Sequence, residues 1–222
     1  MIREIWQIIT EIFYPIGCLQ CLKTITDRGA LCPVCRSILR EARFFTGRLY
    51  ECYYLDGFFI FYRYEKGIRK ALLEAKFFHK KNYVHRLAKE MLYLEYAKLA
   101  TVWHLTDNVV VTPIPTDRAR AKARGFELPQ EIFRPWCRKE NLKWRLCLER
   151  QKKSEPQFGL TKQQRKKNVK DCWRVCEKVT GLNILLVDDI FTTGATTDEA
   201  ARCLKEAGAA KVYAIALASG KR

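Results

Sequence analysis

The sequence lacks a long hydrophobic run. Among its 222 residues there is no stretch of about 18 consecutive apolar side chains, the length that a membrane-spanning helix needs. Residues 2–16 contain Arg3, Glu4 and Glu11 and no small-residue cleavage site, so we expect no secretory signal peptide. Apolar residues at helical spacing in this segment predict a short amphipathic helix, for which packing on the protein is favoured over lying on lipid. We therefore expect a cytoplasmic protein without a membrane span.

Acidic residues are also scarce relative to basic ones. The chain has 24 Asp and Glu against 41 Lys and Arg, which gives a formal net charge of +17. This balance favours polyanionic partners, either nucleic acid or an acidic membrane surface, and a merely soluble basic surface is the alternative. The basic side chains concentrate in two segments outside the predicted strands. Candidate nucleic-acid contacts there are Arg118, Arg120, Arg124, Lys162, Arg165, Lys166 and Lys167.

Cysteine, in contrast, is abundant, and four of the ten cysteines form a metal-binding pattern. Cys18 and Cys21, and then Cys32 and Cys35, are each separated by two residues, and ten residues lie between the pairs. Two such knuckles supply four thiolates for a tetrahedral Zn²⁺ site without an open position, which predicts a structural and not a catalytic metal. The alternative is two CxxC pairs without metal. We expect the six other cysteines to be thiols in a reducing compartment.

A short apolar run delivers two acids into a hydroxyl-rich turn near the C-terminus. Residues 184–187 have the composition of a buried strand, Asp188 and Asp189 follow, and a helix is predicted from Asp198 to Ala207. The N–H groups at the start of a helix stabilise an anion, and Gly194 allows a close backbone approach to it. Carboxylates accept hydrogen bonds from sugar hydroxyls and bind Mg²⁺. The segment therefore predicts a site for a phosphorylated sugar.

Strand and helix patterns alternate along the rest of the chain, which predicts a mostly parallel sheet flanked by helices. Ligands of such sheets bind beyond the carboxyl ends of the strands, where the loops after residues 111 and 187 are both expected. The predicted elements are a connector from Arg43 to Glu51, two strands within Cys52–Tyr64 that meet at Asp56-Gly57, helices at Glu65–Phe78 and Val84–Leu99, and strands at Val109–Val111 and Lys211–Leu217.

The segment from Asp188 to Thr197 resembles the phosphoribosyl-pyrophosphate loop of type I phosphoribosyltransferases, in which two acids precede a short Thr/Gly turn. The resemblance implies that Asp188 and Asp189 hold the ribose hydroxyls, with Mg²⁺ accompanying phosphoribosyl pyrophosphate (PRPP). It also implies a pyrophosphate loop with Pro115 and Arg124, and a flap near residues 162–170. The residues implied to surround the 5-phosphate are Thr192, Thr193, Gly194, Ala195 and Thr196.

The order of motifs over the whole chain resembles the ComF competence family. These motifs are the four cysteines, Pro113-Ile114-Pro115, Arg124-Gly125-Phe126, Pro156-Gln157 with Arg165 and Asn168, and the Asp188 loop. The resemblance implies an N-terminal helix and zinc module over residues 1–45 and a phosphoribosyltransferase-like domain over 46–222. It further implies a role in the uptake of single-stranded DNA beside a helicase-like ATPase and an inner-membrane channel. The location would then be the cytoplasm or the periphery of the inner membrane.

The chain departs from the family pattern after Arg124-Gly125-Phe126, where Glu127 stands in place of the usual Asn. Because an interior proline removes a helical hydrogen bond, Pro129 and Pro135 predict a helix that starts late or kinks. Thr192 stands where 6-oxopurine salvage enzymes carry an aspartate, and threonine cannot accept a proton at neutral pH. Purine salvage of that kind is therefore disfavoured.

The sequence assigns no catalytic residue. His79, His85 and His104 fall in or at the ends of predicted helices, where exposed or hydrogen-bonded roles are expected. Two functions remain. The first is a DNA-uptake accessory protein that binds single-stranded DNA and a PRPP-type ligand, and the second is an active phosphoribosyltransferase of nucleotide or base salvage with a structural zinc site. Base-stacking candidates, for which a core role is favoured, are Trp136, Trp144, Phe158 and Trp173.

Overall fold

The computed structural model describes residues 16–46, 50–105, 108–152 and 161–220. The helix predicted over residues 2–16 lies outside these ranges except for its last residue. Pro156, Gln157, Phe158 and the side chain of Lys162 also lie outside the description. None of the helices within it is both long and apolar enough to cross a bilayer.

Six strands form the main sheet of the described chain, in the order β1-β2-β8-β7-β3-β4. All neighbours in this sheet run parallel except β1 and β2, which are antiparallel. A separate antiparallel pair is formed by β5 and β6. The strands are β1 Arg40–Phe45, β2 Gly57–Arg63, β3 Val109–Pro113, β4 Lys143–Trp144, β5 Leu148–Arg150, β6 Trp173–Val175, β7 Asn183–Phe191 and β8 Lys211–Ser219.

Helices flank the sheet, and buried side chains form one core cluster on each of its faces. Alternate residues of a strand face opposite sides, so Leu185 and Val187 join one cluster while Ile184 and Leu186 join the other. The predicted fold, a mostly parallel sheet flanked by helices, is confirmed. The helices are α1 Pro33–Leu39, α2 Lys66–Phe77, α3 Lys81–Met91, α4 Tyr96–Trp103, α5 Arg118–Arg124, α6 Leu128–Lys139, α7 Lys162–Val169 and α8 Ala195–Glu206.

The single helix predicted over Val84–Leu99 is wrong, because α3 and α4 are separate. Contacts from α6 and from Glu140, the residue that follows it, fix the intervening segment. The Trp136 indole N–H donates to the Leu94 carbonyl at 2.9 Å, and the Glu140 carboxylate accepts from the Tyr96 N–H, at the start of α4, at 3.1 Å. Both partners lie more than 40 residues away in the sequence, so the periodicity of the segment could not predict the break.

The predictions for residues 43–64 also need correction. Arg43 to Phe45 belong to β1 rather than to a connector, and within residues 52–64 a single strand, β2, forms instead of two. The Asp56 carboxylate does not form a hairpin turn. It accepts from the Val212 N–H at 2.7 Å and pairs with Lys205 at 2.7 Å, which ties the start of β2 to β8.

Helix α6 begins at Leu128, directly before Pro129, so the predicted late start is wrong. A proline in the first turn removes an N–H that would have no helical partner, and it therefore does not delay the helix. The helix continues through Pro135 to Lys139.

The cysteine segment shares its core with the rest of the protein. Cys18 and Leu31 belong to the same buried cluster as Phe61, and β1, which follows α1 directly, pairs with β2. A domain boundary between residues 45 and 46 would therefore separate β1 from β2, two strands that pair with each other.

Glu90 of α3 is fully buried and connects the cysteine segment to the rest of the protein. One of its carboxylate oxygens accepts from the N–H groups of Ala30 and Leu31 at 2.8 and 3.0 Å. The other accepts from the Arg36 guanidinium and the Tyr62 hydroxyl, both at 2.8 Å.

Candidate functional site

The four predicted ligand cysteines lie together in the structure. The sulfur atoms of Cys18, Cys21, Cys32 and Cys35 all lie within 4.8 Å of one another, and those of Cys21 and Cys32 are 3.7 Å apart. Tetrahedral Zn–S bonds of about 2.3 Å place sulfurs about 3.8 Å apart, so the donor set fits a closed four-sulfur site. Burial alone would raise the pKa of the Cys18 thiol. Backbone N–H groups of Cys21 and Cys32 donate to the Cys18 sulfur, and they lower this pKa to about 7. A thiolate is the form that binds a metal.

The two loops predicted at the carboxyl end of the sheet are neighbours. Strands β3 and β7 pair in parallel, with Pro113 beside Val187, and the Ile114 N–H donates to the Val187 carbonyl at 3.1 Å. In the sheet order, the strand that follows β3 in sequence, β4, lies on one side of the β7-β3 pair. The strand that follows β7, β8, lies on the other side. The loops after these strands therefore meet at a switch point of the sheet, where ligands of open α/β sheets bind.

Asp188 and Asp189 lie within β7 rather than in the turn, because the strand remains paired with β8 as far as Phe191. Asp189 is 5% exposed, and its carboxylate pairs with the ammonium group of Lys76 at 2.8 Å. Burial and the adjacent Asp189 carboxylate raise the pKa of Asp188 to about 8. Lys76 therefore balances the charge of Asp189, while burial shifts Asp188 toward its protonated form.

The hydroxyl-rich loop depends on a glycine in the left-handed conformation. Gly194 has φ +80°, and a Cβ there would lie 2.3 Å from the Cys52 sulfur and 2.9 Å from the Phe191 ring. The loop therefore packs on β7 too closely for any other residue. Thr192 is exposed and Thr193 and Thr196 are half-buried, at the point where α8 begins with Ala195.

Arg124 and Glu127 border the acid pair on the side of the β3 loop. Within the described residues, Nε and Nη1 of Arg124 are buried and have no acceptor to which they donate. Burial lowers the pKa of Arg124, while the charges of Asp189 and Glu127 oppose this shift. Glu127 accepts from the Thr116 hydroxyl and, at 3.3 Å, from the Thr116 N–H. The residue that departs from the family pattern therefore holds the loop after β3.

Residues 142–222 match the model of the phosphoribosyl transferase domain family. The chain is 28% identical over 208 residues to competence protein ComFC of Bacillus subtilis, an alignment that covers 87% of this chain and 78% of ComFC. It is 30% identical over 138 residues to the DNA utilization protein YhgH of Escherichia coli K12, which covers 61% of this chain and 60% of YhgH. The chain is thus similar to ComFC over most of its length and to YhgH over more than half of it, and its C-terminal part matches the phosphoribosyl transferase domain.

Similarity to solved structures is weaker. Phosphoribosylpyrophosphate synthetase of Mycobacterium smegmatis matches with a TM-score of 0.36 and 14% identity, over 64% of this chain and 39% of that one. The family match includes β7 and the loop after it, and the sheet order places β3 beside β7.

The predicted nucleic-acid residues of this domain lie on two helices. Arg118 and Arg120 are exposed on α5, Arg165 is half-buried on α7, and Lys167 is exposed there. The ammonium group of Lys166 lies 3.6 Å from the Glu51 carboxylate and 5.4 Å from the centre of the Tyr53 ring.

Two of the predicted stacking aromatics are core residues. Trp136 is fully buried and Trp173 is 3% exposed, with its indole N–H donating to the Pro115 carbonyl at 3.2 Å. Neither ring is accessible to a base. Trp144 is half-buried in the edge strand β4.

Sequence reasoning missed two residues of the site. Lys76 of α2 reaches Asp189 across 113 positions of sequence. Glu127 was treated only as a departure from the family pattern. No local pattern around Lys76 indicates this contact, because Lys76 and Asp189 are distant in the sequence.

Proposed function

We propose that this protein assists the uptake of single-stranded DNA in natural transformation and binds both DNA and a PRPP-type ligand. One observation carries the ligand assignment. The acid pair, the threonine loop and Arg124 converge at the switch point of a phosphoribosyltransferase domain whose homologues are named for competence and DNA utilization. The helicase-like ATPase and the inner-membrane channel of the uptake machinery are the proposed protein partners, and the proposed location is the cytoplasm or the inner face of the membrane.

The proposed binding mode uses the three parts of the site separately. Asp188 and Asp189 accept hydrogen bonds from the ribose hydroxyls, and Thr192 to Thr196 surround the 5-phosphate at the start of α8. Arg124, with Pro115 in the adjoining loop, faces the pyrophosphate, which would supply the missing partners of its guanidinium. Mg²⁺ bound with the ligand would offset the phosphate charges.

Because Lys76 pairs with Asp189, ligand binding would replace one partner of Asp189, the lysine, by another, the ribose. A ribose that bonds to Asp189 competes with the lysine, and the released ammonium group is then available to the anionic phosphates. The four-cysteine cluster is proposed to hold a structural Zn²⁺, since its donor set leaves no open position for chemistry.

An active phosphoribosyltransferase remains the second candidate. The family match supports it, as does Asp188, whose raised pKa places a proton-exchanging group beside the proposed ribose site. Release of pyrophosphate from PRPP over a panel of nucleobases tests this candidate directly.

Asp189→Asn tests the ligand assignment. We expect the affinity for PRPP with Mg²⁺ to fall roughly 10- to 100-fold, because a charged acceptor of ribose hydroxyls becomes a neutral amide. Isothermal titration calorimetry measures this change. Asp171→Asn is the control, since Asp171 is exposed and pairs with Arg202 of α8, and it should leave the affinity unchanged. Equal affinities of the wild type and Asp189→Asn would refute the assignment.

Binding of single-stranded DNA should weaken steeply with salt. If about four phosphates are neutralised, affinity for a fluorescein-labelled oligothymidylate should fall roughly 50-fold between 50 and 200 mM salt, measured by fluorescence anisotropy. Replacing Arg118 and Arg120 by glutamine should reduce the slope, while Lys98→Gln on α4 should not. Affinity that stays constant with salt argues against an electrostatic DNA site.

A further inference from the structure

The end of α2 exposes two adjacent aromatic side chains. Phe77 is 68% exposed and Phe78 is 66% exposed, whereas most aromatic side chains in the described chain are buried or half-buried. Exposed apolar patches of this kind usually mark a binding surface. The end of α2 is therefore a candidate contact site that neither the fold nor the sugar-phosphate site explains.

The surroundings of these two rings are basic. From Ala75 to Lys89 the sequence contains five Lys and Arg residues and no Asp or Glu. The Lys80 ammonium group lies 5.7 Å from the centre of the Phe78 ring and 5.9 Å from that of Tyr83. Lys80 also pairs with Glu74, whereas Lys81 is exposed at the start of α3. Aromatic faces beside cations match the two needs of a single strand, base stacking and phosphate neutralisation.

The exposed rings directly follow, in α2 and at its end, the lysine that contacts the proposed ligand site. Lys76, which bonds to Asp189, directly precedes Phe77 in α2. A cavity of about 190 Å³ lies between α3 and the residues that follow Arg124, and it is lined by Lys81, Val84, His85, Gly125, Phe126 and Glu131. Lys81 thus belongs both to this cavity and to the basic surroundings of the rings. A strand bound at the end of α2 would lie beside the acid pair.

We propose that Phe77, Phe78, Lys80 and Lys81 form an aromatic platform on which bases of single-stranded DNA stack. This inference rests on the proposed DNA-binding function and gives it a location. The buried Trp136 and Trp173 cannot stack bases, so the platform takes the role that the sequence offered to them. Its place beside Lys76 puts the DNA and the sugar-phosphate ligand next to each other.

The experiment compares two double variants, each in the full-length protein with its metal. In the first, Phe77 and Phe78 are both replaced by leucine, which keeps the apolar surface and removes the rings. In the second, both are replaced by tyrosine, which keeps the rings. We expect at least a roughly tenfold loss of oligothymidylate affinity for the leucine variant and a change below about twofold for the tyrosine variant. Replacing exposed Val102 and Leu146 by alanine is the control and should have no effect.

The outcomes separate the inference from the function on which it rests. If the wild type binds the oligonucleotide and the leucine variant binds equally well, the platform is wrong and DNA binding stands. If the wild type does not bind at all, the proposed DNA-binding function fails and the platform fails with it. If sedimentation shows a wild-type dimer that the leucine variant loses at unchanged DNA affinity, the rings form a contact between copies, which also overturns the platform.

Discussion

Cys21→Ser should release zinc and remove most of the folding free energy of the protein. Structural zinc contributes about 10–16 kcal/mol in small zinc-binding peptides, which matches or exceeds the total stability of a typical domain. The loss should spread beyond the cysteines here, because Cys18 and Leu31 pack in the same core as Phe61 of β2. Metal analysis by mass spectrometry and thermal unfolding followed by circular dichroism measure the two effects.

Cys176→Ser provides a matched control. Cys21 and Cys176 are both exposed, but only Cys21 belongs to the four-sulfur cluster of the described chain. The control variant should keep one zinc per protein and a nearly unchanged melting temperature. A wild-type protein purified without zinc, or a Cys21→Ser variant that retains it, would show that the cluster does not hold the metal.

Glu90→Ala should destabilise the protein by about 3–5 kcal/mol, the cost of leaving a buried charge without its partner. The Arg36 guanidinium would keep Asp27 but lose Glu90, and the N–H groups of Ala30 and Leu31 would lose their acceptor. Equilibrium unfolding in urea measures the change in free energy.

Two further variants sharpen this measurement. Glu95→Ala removes an exposed partner of Lys98 and should leave the free energy of unfolding nearly unchanged. Glu90→Gln keeps the shape of the side chain and should fall between the two. A Glu90→Ala variant as stable as Glu95→Ala would mean that the buried carboxylate does not join the cysteine segment to α3.

The sequence predicts those parts of the site that are made by neighbouring residues. The two knuckles bring four sulfurs together through local turns, and Asp188, Asp189 and Gly194 lie within seven positions, so their chemistry is readable as a pattern. The parallel sheet follows from the alternation of elements. The strand through Asp189 was missed because its pairing with β8 lies outside the segment itself.

The remaining parts depend on contacts between distant residues. Lys76 reaches Asp189 across 113 positions, and Glu90 meets Ala30 across 60. Lys76 and Glu90 are residue types that ordinarily lie on an exposed helix surface. Glu90 is buried only because of its tertiary packing. No local pattern distinguishes Glu90 from exposed Glu95, five residues away on the same stretch of chain.

The two edges of the main sheet affect how copies of this protein behave at high concentration. At one edge of the described sheet, β1 carries exposed Arg40 and Arg43, and its register shifts between them, with Ala42 at φ +45°. At the other edge, β4 is two residues long. Charges, irregular register and shortness each prevent a strand from pairing with a second sheet. Aggregation by edge-to-edge addition of strands is therefore disfavoured at both ends.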